Sequence, residues 1–317
     1  MSVMNVVSLP TLSRVALCGG THGNELSGIY LVRERLRRRE KGAEAEPFAL
    51  VTVMSNPRAV QQCRRYTETD LNRCFTEATL SSTPVSDGTP YEILRARELN
   101  ALLGPKGSPE AVDLVCDLHN TTANMGLCFI SYSDCDWICL HIYRHLQREM
   151  ATIPVRYVHF DLPIGEAYSL ESVGKHGFAM EVGPQSHAVV RSNVYMAMKE
   201  GVQLMLDWIR LFNSGAQFEG GPVELYTKVK TIDYPRDSES HHISAAIHPE
   251  LQDRDFCLLH PGDPVFLTFS GETLRYRGKE PLYPFFVNEG AYYEKGIALS
   301  LARRRRLSIP SIQSERR

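Results

Sequence analysis

The chain has 317 residues, with 35 Lys plus Arg against 37 Asp plus Glu and a formal net charge of -2. Hydrophobic content of 43% and charged content of 23% are ordinary for a soluble globular protein, and the length suits one large domain and a smaller one. So even a balance gives no electrostatic reason for a nucleic-acid partner, and no apolar run is long enough to span a bilayer.

Residues 1–10 carry no basic stretch ahead of their apolar residues and are too short for a signal peptide. The 8 cysteines form no CxxC pair, and Cys18 and Cys116 sit in apolar runs. Buried free thiols in a reducing cytoplasm are expected rather than a disulfide framework.

Val15 to Cys18 is short and apolar enough for a buried strand. It runs into Gly19-Gly20-Thr21-His22-Gly23-Asn24-Glu25, and Leu26 to Glu40 then shows a helical apolar face through Ile29, Leu31, Val32 and Leu36. The glycine-rich piece is therefore a tight strand-to-helix turn. His22 and Glu25, three apart, are two thirds of a zinc site of two histidines and one glutamate. The alternative is a turn histidine beside a glutamate that favours a helix start.

Phe48 to Met54 predicts a second buried strand, broken by Asn56-Pro57. Arg64-Arg65-Tyr66 and Asp70-Leu71-Asn72-Arg73 follow, too polar for a core. Ser81 to Pro90 predicts an exposed loop, and Tyr91 to Leu103 a helix that stops at Gly104-Pro105. Val112 to His119 predicts a third strand with His119 at its carboxyl end, where ligands sit in open α/β sheets. His22, Glu25 and His119 can therefore meet. Asp117 shares a strand face with His119 and is either an orienting carboxylate or an ordinary strand aspartate.

Leu127 to Ser131 predicts another strand, and Asp136 to Met150 an amphipathic helix. His141 and His145 lie one turn apart on it without an HExxH pattern, which reads as a partly exposed helix face. Val155 to Phe160 and Gly177 to Pro184 predict two more strands, with Glu181 inside the second. A charge there is costly unless paired or functional. Asn193 to Phe212 predicts a helix. Beyond the Gly-rich stretch 213–222 the pattern turns to short strands at Val223 to Ile232, Ala245 to Ile247, Val265 to Phe269 and Tyr283 to Val287. Arg303 to Arg306 and Arg316-Arg317 predict a disordered basic tail, capable at most of weak contact with an anionic membrane surface.

Six motifs in this order, GGTHGNE (19–25), DLNR (70–73), DLHNTT (117–122), EVGP (181–184), HPGDP (260–264) and AYYEK (291–295), resemble the aspartoacylase family of zinc amidohydrolases, relatives of the carboxypeptidases in fold. The likeness runs from about residue 14 to about 300. The motifs look closest to the branch that prefers N-acyl aromatic amino acids to N-acetylaspartate. The resemblance implies one Zn2+ on His22, Glu25 and His119, the three reached from spacing alone. It implies Glu181 as general base and then acid, Arg65 as oxyanion stabiliser, Asn72 and Arg73 as the clamp on the α-carboxylate, and Tyr292 as a further hydroxyl contact. Aspartoacylases carry, ten residues before the base, an arginine that pairs with the side-chain carboxylate of N-acetylaspartate. Here Glu171 stands there, with Ala167 in place of a helping tyrosine, so Glu171 is expected to disfavour acidic side chains.

The expected fold is α/β: a zinc-carboxypeptidase-like mixed sheet flanked by helices in residues 1–212, a β-rich domain covering the site in 213–302, and the basic tail 303–317. The expected function is zinc-dependent hydrolysis of N-acyl-L-amino acids, with aromatic residues and S-substituted cysteines preferred and N-acetylaspartate poor. A small-molecule substrate, a homo-oligomer and a cytoplasmic location are expected. A carboxypeptidase acting on peptides and a non-catalytic binding protein of the same fold are the rivals.

Overall fold

Apolar runs too short for helices become strands, and the longer periodic stretches become helices packed on both faces of one sheet. The computed structural model describes residues 6–42, 46–81 and 88–315. The chain opens with β1 (Val6–Leu9), β2 (Arg14–Gly19), α1 (Leu26–Glu40), β3 (Ala49–Met54) and α2 (Pro57–Gln62). A 3-10 turn at Leu71–Arg73 leads to α3 (Glu77–Ser81) and α4 (Tyr91–Leu103). Most of the loop predicted between these two helices lies outside the described residues. Next come β4 (Leu114–Asn120), β5 (Gly126–Ser131), α5 (Trp137–Glu149) and β6 (Val155–His159). A 3-10 turn at Leu170–Val173 precedes β7 (His176–Gly183) and α6 (Ser192–Asn213). The last third holds β8 (Gly221–Asp233), β9 (Ala245–Ile247), β10 (Pro264–Thr268), β11 (Thr273–Arg275) and β12 (Tyr283–Phe285). A 3-10 segment at Gly290–Lys295 is followed by β13 (Ile297–Ile309) and β14 (Ser311–Ser314).

The main sheet has nine strands in the order β12-β13-β8-β6-β5-β7-β4-β2-β3. It is mixed, as expected: β3, β2, β4 and β7 run parallel, while β5 runs against β7. The sheet continues past position 213, because β8 joins β6 in parallel and then pairs with β13. The β-rich half adds a three-stranded sheet of β9, β10 and β11 with its own core around Tyr234, Phe266 and Leu299. On one face of the main sheet, α1, α5 and α6 bury Leu31, Tyr143, Val202, Trp208 and Phe212 against Phe129 and Phe178. On the other, Leu71, Phe75, Leu99 and Leu170 close over Ala16 and Val115. Each such side chain stabilises the fold by about 1.5–3 kcal/mol through burial.

The tail is a correction. Residues 303–309 complete β13, and β14 pairs in parallel with β1, joining the two ends of the chain. Arginines tolerate this strand because its outer positions stay in water and their heads find acids: Arg303 pairs with Glu280 at 2.6 Å and Arg305 with Asp134 at 2.9 Å. The expected membrane contact thus loses the free basic tail it rested on; Arg316 and Arg317 lie outside the described residues. His141 also differs from the expected exposed face. It is buried, with Nε2 2.9 Å from the Pro310 carbonyl oxygen.

Candidate metal centre and active site

Parallel register brings three strand ends to one edge. Gly19 pairs with Leu118, and His119 pairs with Glu181. The turn after β2 stays tight because Gly20 has φ +73°, and because a Cβ on Gly23 would lie 2.1 Å from the Ala59 backbone. His22 and Glu25 are thereby held beside His119, all three buried.

Their facing atoms form a triangle. His22 Nδ1 lies 2.7 Å from Glu25 Oε1, His119 Nδ1 2.9 Å from Glu25 Oε2, and the two Nδ1 atoms are 3.1 Å apart. Each outer imidazole nitrogen meets a carboxylate: His22 Nε2 lies 3.0 Å from Asp70 Oδ1, and His119 Nε2 2.8 Å from Asp117 Oδ2. With outer N–H groups donating to these carboxylates, both inner nitrogens turn lone pairs toward Glu25. Ligands at about 2.1 Å from a tetrahedral ion stand roughly 3.3 Å apart, so the donor set fits a metal closely. Among the described residues it is the group able to hold one. Asp117 is held in turn by the Thr21 hydroxyl at 2.8 Å.

Arg65 crosses the rim, donating to Glu25 at 3.2 Å and to Asp70 at 3.3 Å. Burial works against ionisation of Asp70, but His22, Arg65 and Arg73 outweigh it and hold its carboxyl far below the usual range. Glu181 Oε2 is buried without a partner. Burial pushes this carboxyl up, the Glu25 and Glu289 charges add to the rise, and His119 opposes it. Asn72 uses its Oδ1 to accept from Leu170 N at 3.1 Å, which leaves its amide N–H groups free to donate. The Arg73 guanidinium lies 4.6 Å from the Tyr168 ring centroid. Tyr292 comes from the β-rich half. Burial raises its phenol pKa, Arg73 and Arg65 pull the other way, and Glu181 adds to the rise, so these four share one locality.

The first domain-sized stretch, residues 11–209, matches the model of the succinylglutamate desuccinylase/aspartoacylase catalytic domain. Residues 221–304 match the AstE/AspA barrel-sandwich hybrid domain. The chain belongs to the aspartoacylase family. It is 59% identical over 311 residues to N-acyl-aromatic-L-amino acid amidohydrolase (carboxylate-forming) A of Danio rerio, covering 98% of this chain and 94% of the relative. It is 46% identical to the Homo sapiens enzyme of the same name, covering 95% and 93%. The solved structure of murine aminoacylase 3 superposes with a TM-score of 0.92 at 42% identity, covering 96% of this chain and all of that one (100%).

Within this family frame, three residues that spacing did not single out stand at the site. Asp70 lies inside the DLNR motif, but nothing local marks its role, because its partner His22 is 48 positions away. Glu289 and His187 carry no sequence signal at all. Glu171 is buried. Its Oε1 accepts from Ser169 Oγ at 2.6 Å, Ser169 Oγ lies 2.6 Å from the Tyr132 hydroxyl, and Oε2 has no partner.

Burial pushes the Glu171 carboxyl up to about 7, against an ordinary 4.5. Because the folded value is the higher one, the associated stability is complete below about pH 4.5 and is lost as pH rises through 7. Glu171→Gln should remove that loss. Its melting temperature relative to wild type should climb between pH 5 and pH 8, by the equivalent of about 3 kcal/mol. A constant difference across that range in thermal melts would mean that Glu171 does not titrate this way.

Proposed function

We propose that this chain hydrolyses N-acyl-L-amino acids to a carboxylate and the free amino acid, with one zinc ion held by His22, Glu25 and His119. The observation that carries the reading is a fully buried His-Glu-His triangle with an unpartnered carboxyl, Glu181, on the next strand. The family match and the printed activities of the relatives support it.

When bound, zinc supplies a water acidic enough to ionise near neutral pH and a Lewis acid for the amide carbonyl. Asp70 and Asp117 keep both imidazoles turned inward. Glu181 takes a proton from the attacking water and returns it to the leaving nitrogen, work suited to a carboxyl whose pKa burial has raised. Arg65, steered by Glu25 and Asp70, donates to the carbonyl oxygen as it gains charge. Asn72 and Arg73 grip the α-carboxylate, and Tyr292 adds a hydroxyl.

Aromatic walls support an aromatic side chain in the substrate. Tyr132 stands edge-on to Phe160 at 6.3 Å and to Tyr168 at 5.9 Å. Such rings favour other rings by about 0.5–1.5 kcal/mol beyond area burial. Glu171 acts from behind Ser169 and Tyr132, where aspartoacylases use an arginine, so a side-chain carboxylate of the substrate meets no cationic partner from this position. S-substituted cysteines fit the same apolar space, and N-acetylaspartate is a poor substrate.

A carboxypeptidase would use the same centre. Against it, Tyr66 donates to Glu294 at 2.9 Å and Lys295 Nζ lies 3.3 Å from Asp70, so the β-rich half crosses the mouth. All eight cysteines are free, which supports a cytoplasmic location, and among the described residues no helix is long and apolar enough to cross a membrane. Homo-oligomerisation remains part of the proposal, to be read by light scattering.

The deciding experiment compares kcat/KM on N-acetyltyrosine, N-acetylaspartate and a free-carboxyl tetrapeptide. N-acetyltyrosine should lead. Release of the terminal residue from the tetrapeptide at a comparable rate would favour the carboxypeptidase. Within this reading, Arg73→Lys keeps the charge but loses the fork, so KM for N-acetyltyrosine should rise by about 10- to 100-fold. Unchanged KM and kcat/KM would put the α-carboxylate elsewhere.

A further inference from the structure

Tyr292 reaches the site on a short 3-10 segment, Gly290–Lys295, which is too short to hold itself in place. Its anchor is Glu289, buried although it carries a charge. Glu289 Oε2 accepts from the Thr121 hydroxyl and from Thr122 N at 2.8 Å, and its Oε1 accepts from Ala291 N at 2.9 Å to cap the segment. Gly290 N donates to the Thr122 hydroxyl at 2.8 Å. These bonds tie the segment to the two threonines that follow the His119 strand.

A cation faces this carboxylate. His187 Nε2 lies 3.3 Å from Glu289 Oε1, off the line of a hydrogen bond and with no other partner, so the contact is an ion pair. The ring also covers Gly290: a Cβ built there would lie 3.6 Å from His187 Cε1. The backbone beside His187 is held in an uncommon conformation. Ala188 has φ 58°, and its N–H donates to the Asn24 carbonyl at 2.8 Å, inside the loop between His22 and Glu25. His187 therefore stands on a loop pinned to the metal-binding turn and reaches across to the other half of the molecule. The Glu289 charge beside it favours the protonated ring, with burial opposing.

We propose that His187 is a positioning residue for Tyr292, clasping the Glu289–Lys295 segment over the substrate. It touches none of the reacting groups itself. The proposal rests on the amidohydrolase reading only for its kinetic consequence. Losing the clasp leaves Glu289 with one charge partner fewer and loosens the segment, so the substrate meets a less ordered Tyr292. Binding suffers more than chemistry, because Glu181, Arg65 and the metal ligands are held by other contacts.

The test is His187→Ala and His187→Asn, the latter polar but too short to reach Glu289, against His187→Gln, whose amide reaches as far as the imidazole. The alanine and asparagine variants should raise KM for N-acetyltyrosine by about tenfold, the scale of taking one partner from a buried carboxylate, with kcat within about threefold. The glutamine variant, whose amide N–H can donate to Glu289 in place of the ion pair, should stay within about threefold of wild type in both. Metal content should not change. Hydrogen exchange of Ala291 to Gly296 should quicken in the first two variants alone, while exchange in β4 and β7 should not. A KM within twofold of wild type in both short variants, an equal loss in His187→Gln, or unchanged exchange at the segment would overturn the proposal. If the wild type hydrolyses no N-acyl amino acid, the function reading fails, and the exchange comparison alone decides the clasp. Should the alanine variant not fold, the asparagine variant carries the same comparison.

Discussion

Replacing His119 by alanine should leave the purified protein with well under one zinc per chain and no measurable amidohydrolase activity. The expectation follows from the triangle of His22, Glu25 and His119, in which His119 supplies one corner and Asp117 fixes its direction. Removing an outer partner of a ligating histidine typically costs about 10- to 100-fold in metal affinity, and removing the ligand itself costs more. Asp117→Asn should therefore give the milder version, weaker metal binding at the same stoichiometry when zinc is in excess. His119→Ala also leaves Asp117 and Glu25 buried with fewer partners, so its melting temperature should fall as well. Elemental analysis after dialysis against a weak chelator measures the first effect, and hydrolysis of N-acetyltyrosine the second. Full zinc content together with activity in His119→Ala would show that the ligand assignment is wrong.

These residues were legible because chemistry and position coincide in them. A histidine at the carboxyl end of an apolar strand, and a histidine and glutamate in a glycine turn after another, are sites whose strand partners sequence periodicity can suggest. The helices at 26–40 and 91–103 were legible from their stops: a basic end in one, Gly104-Pro105 in the other. What stayed hidden depends on pairing between distant segments. Asp70 meets His22, and His187 meets Glu289, only after the sheet has folded, and nothing local marks either partner. β13 was hidden by its own composition. Four consecutive arginines show no period of two, yet they form strand because β8 supplies backbone partners along nearly the whole length. Glu171 shows the opposite case: its position ten residues before Glu181 is plain in the sequence, but its burial behind Ser169 and Tyr132 cannot be read from a count of residues.

Glu181→Gln should lower kcat by about 10²- to 10⁴-fold, the usual share of general acid–base work, while zinc stays bound. The substitution keeps shape and one acceptor oxygen, so it asks about the proton alone. Glu181 stands in register with His119 across β4 and β7, and its Oε2 is unpartnered in a buried place. A structural ion pair would have filled that oxygen with a donor, whereas the nearby Arg65 directs three of its N–H groups to Glu25 and Asp70. A buried carboxyl raised by desolvation should gain nothing in stability from its charge, so the glutamine variant should melt no lower than wild type. KM for N-acetyltyrosine should change little, since Arg73 and Asn72 are untouched. The pattern separates the two largest effects: His119→Ala loses metal and activity together, whereas Glu181→Gln keeps the metal and loses turnover. A fall of less than about tenfold in kcat, with zinc retained, would take Glu181 out of the proton transfer.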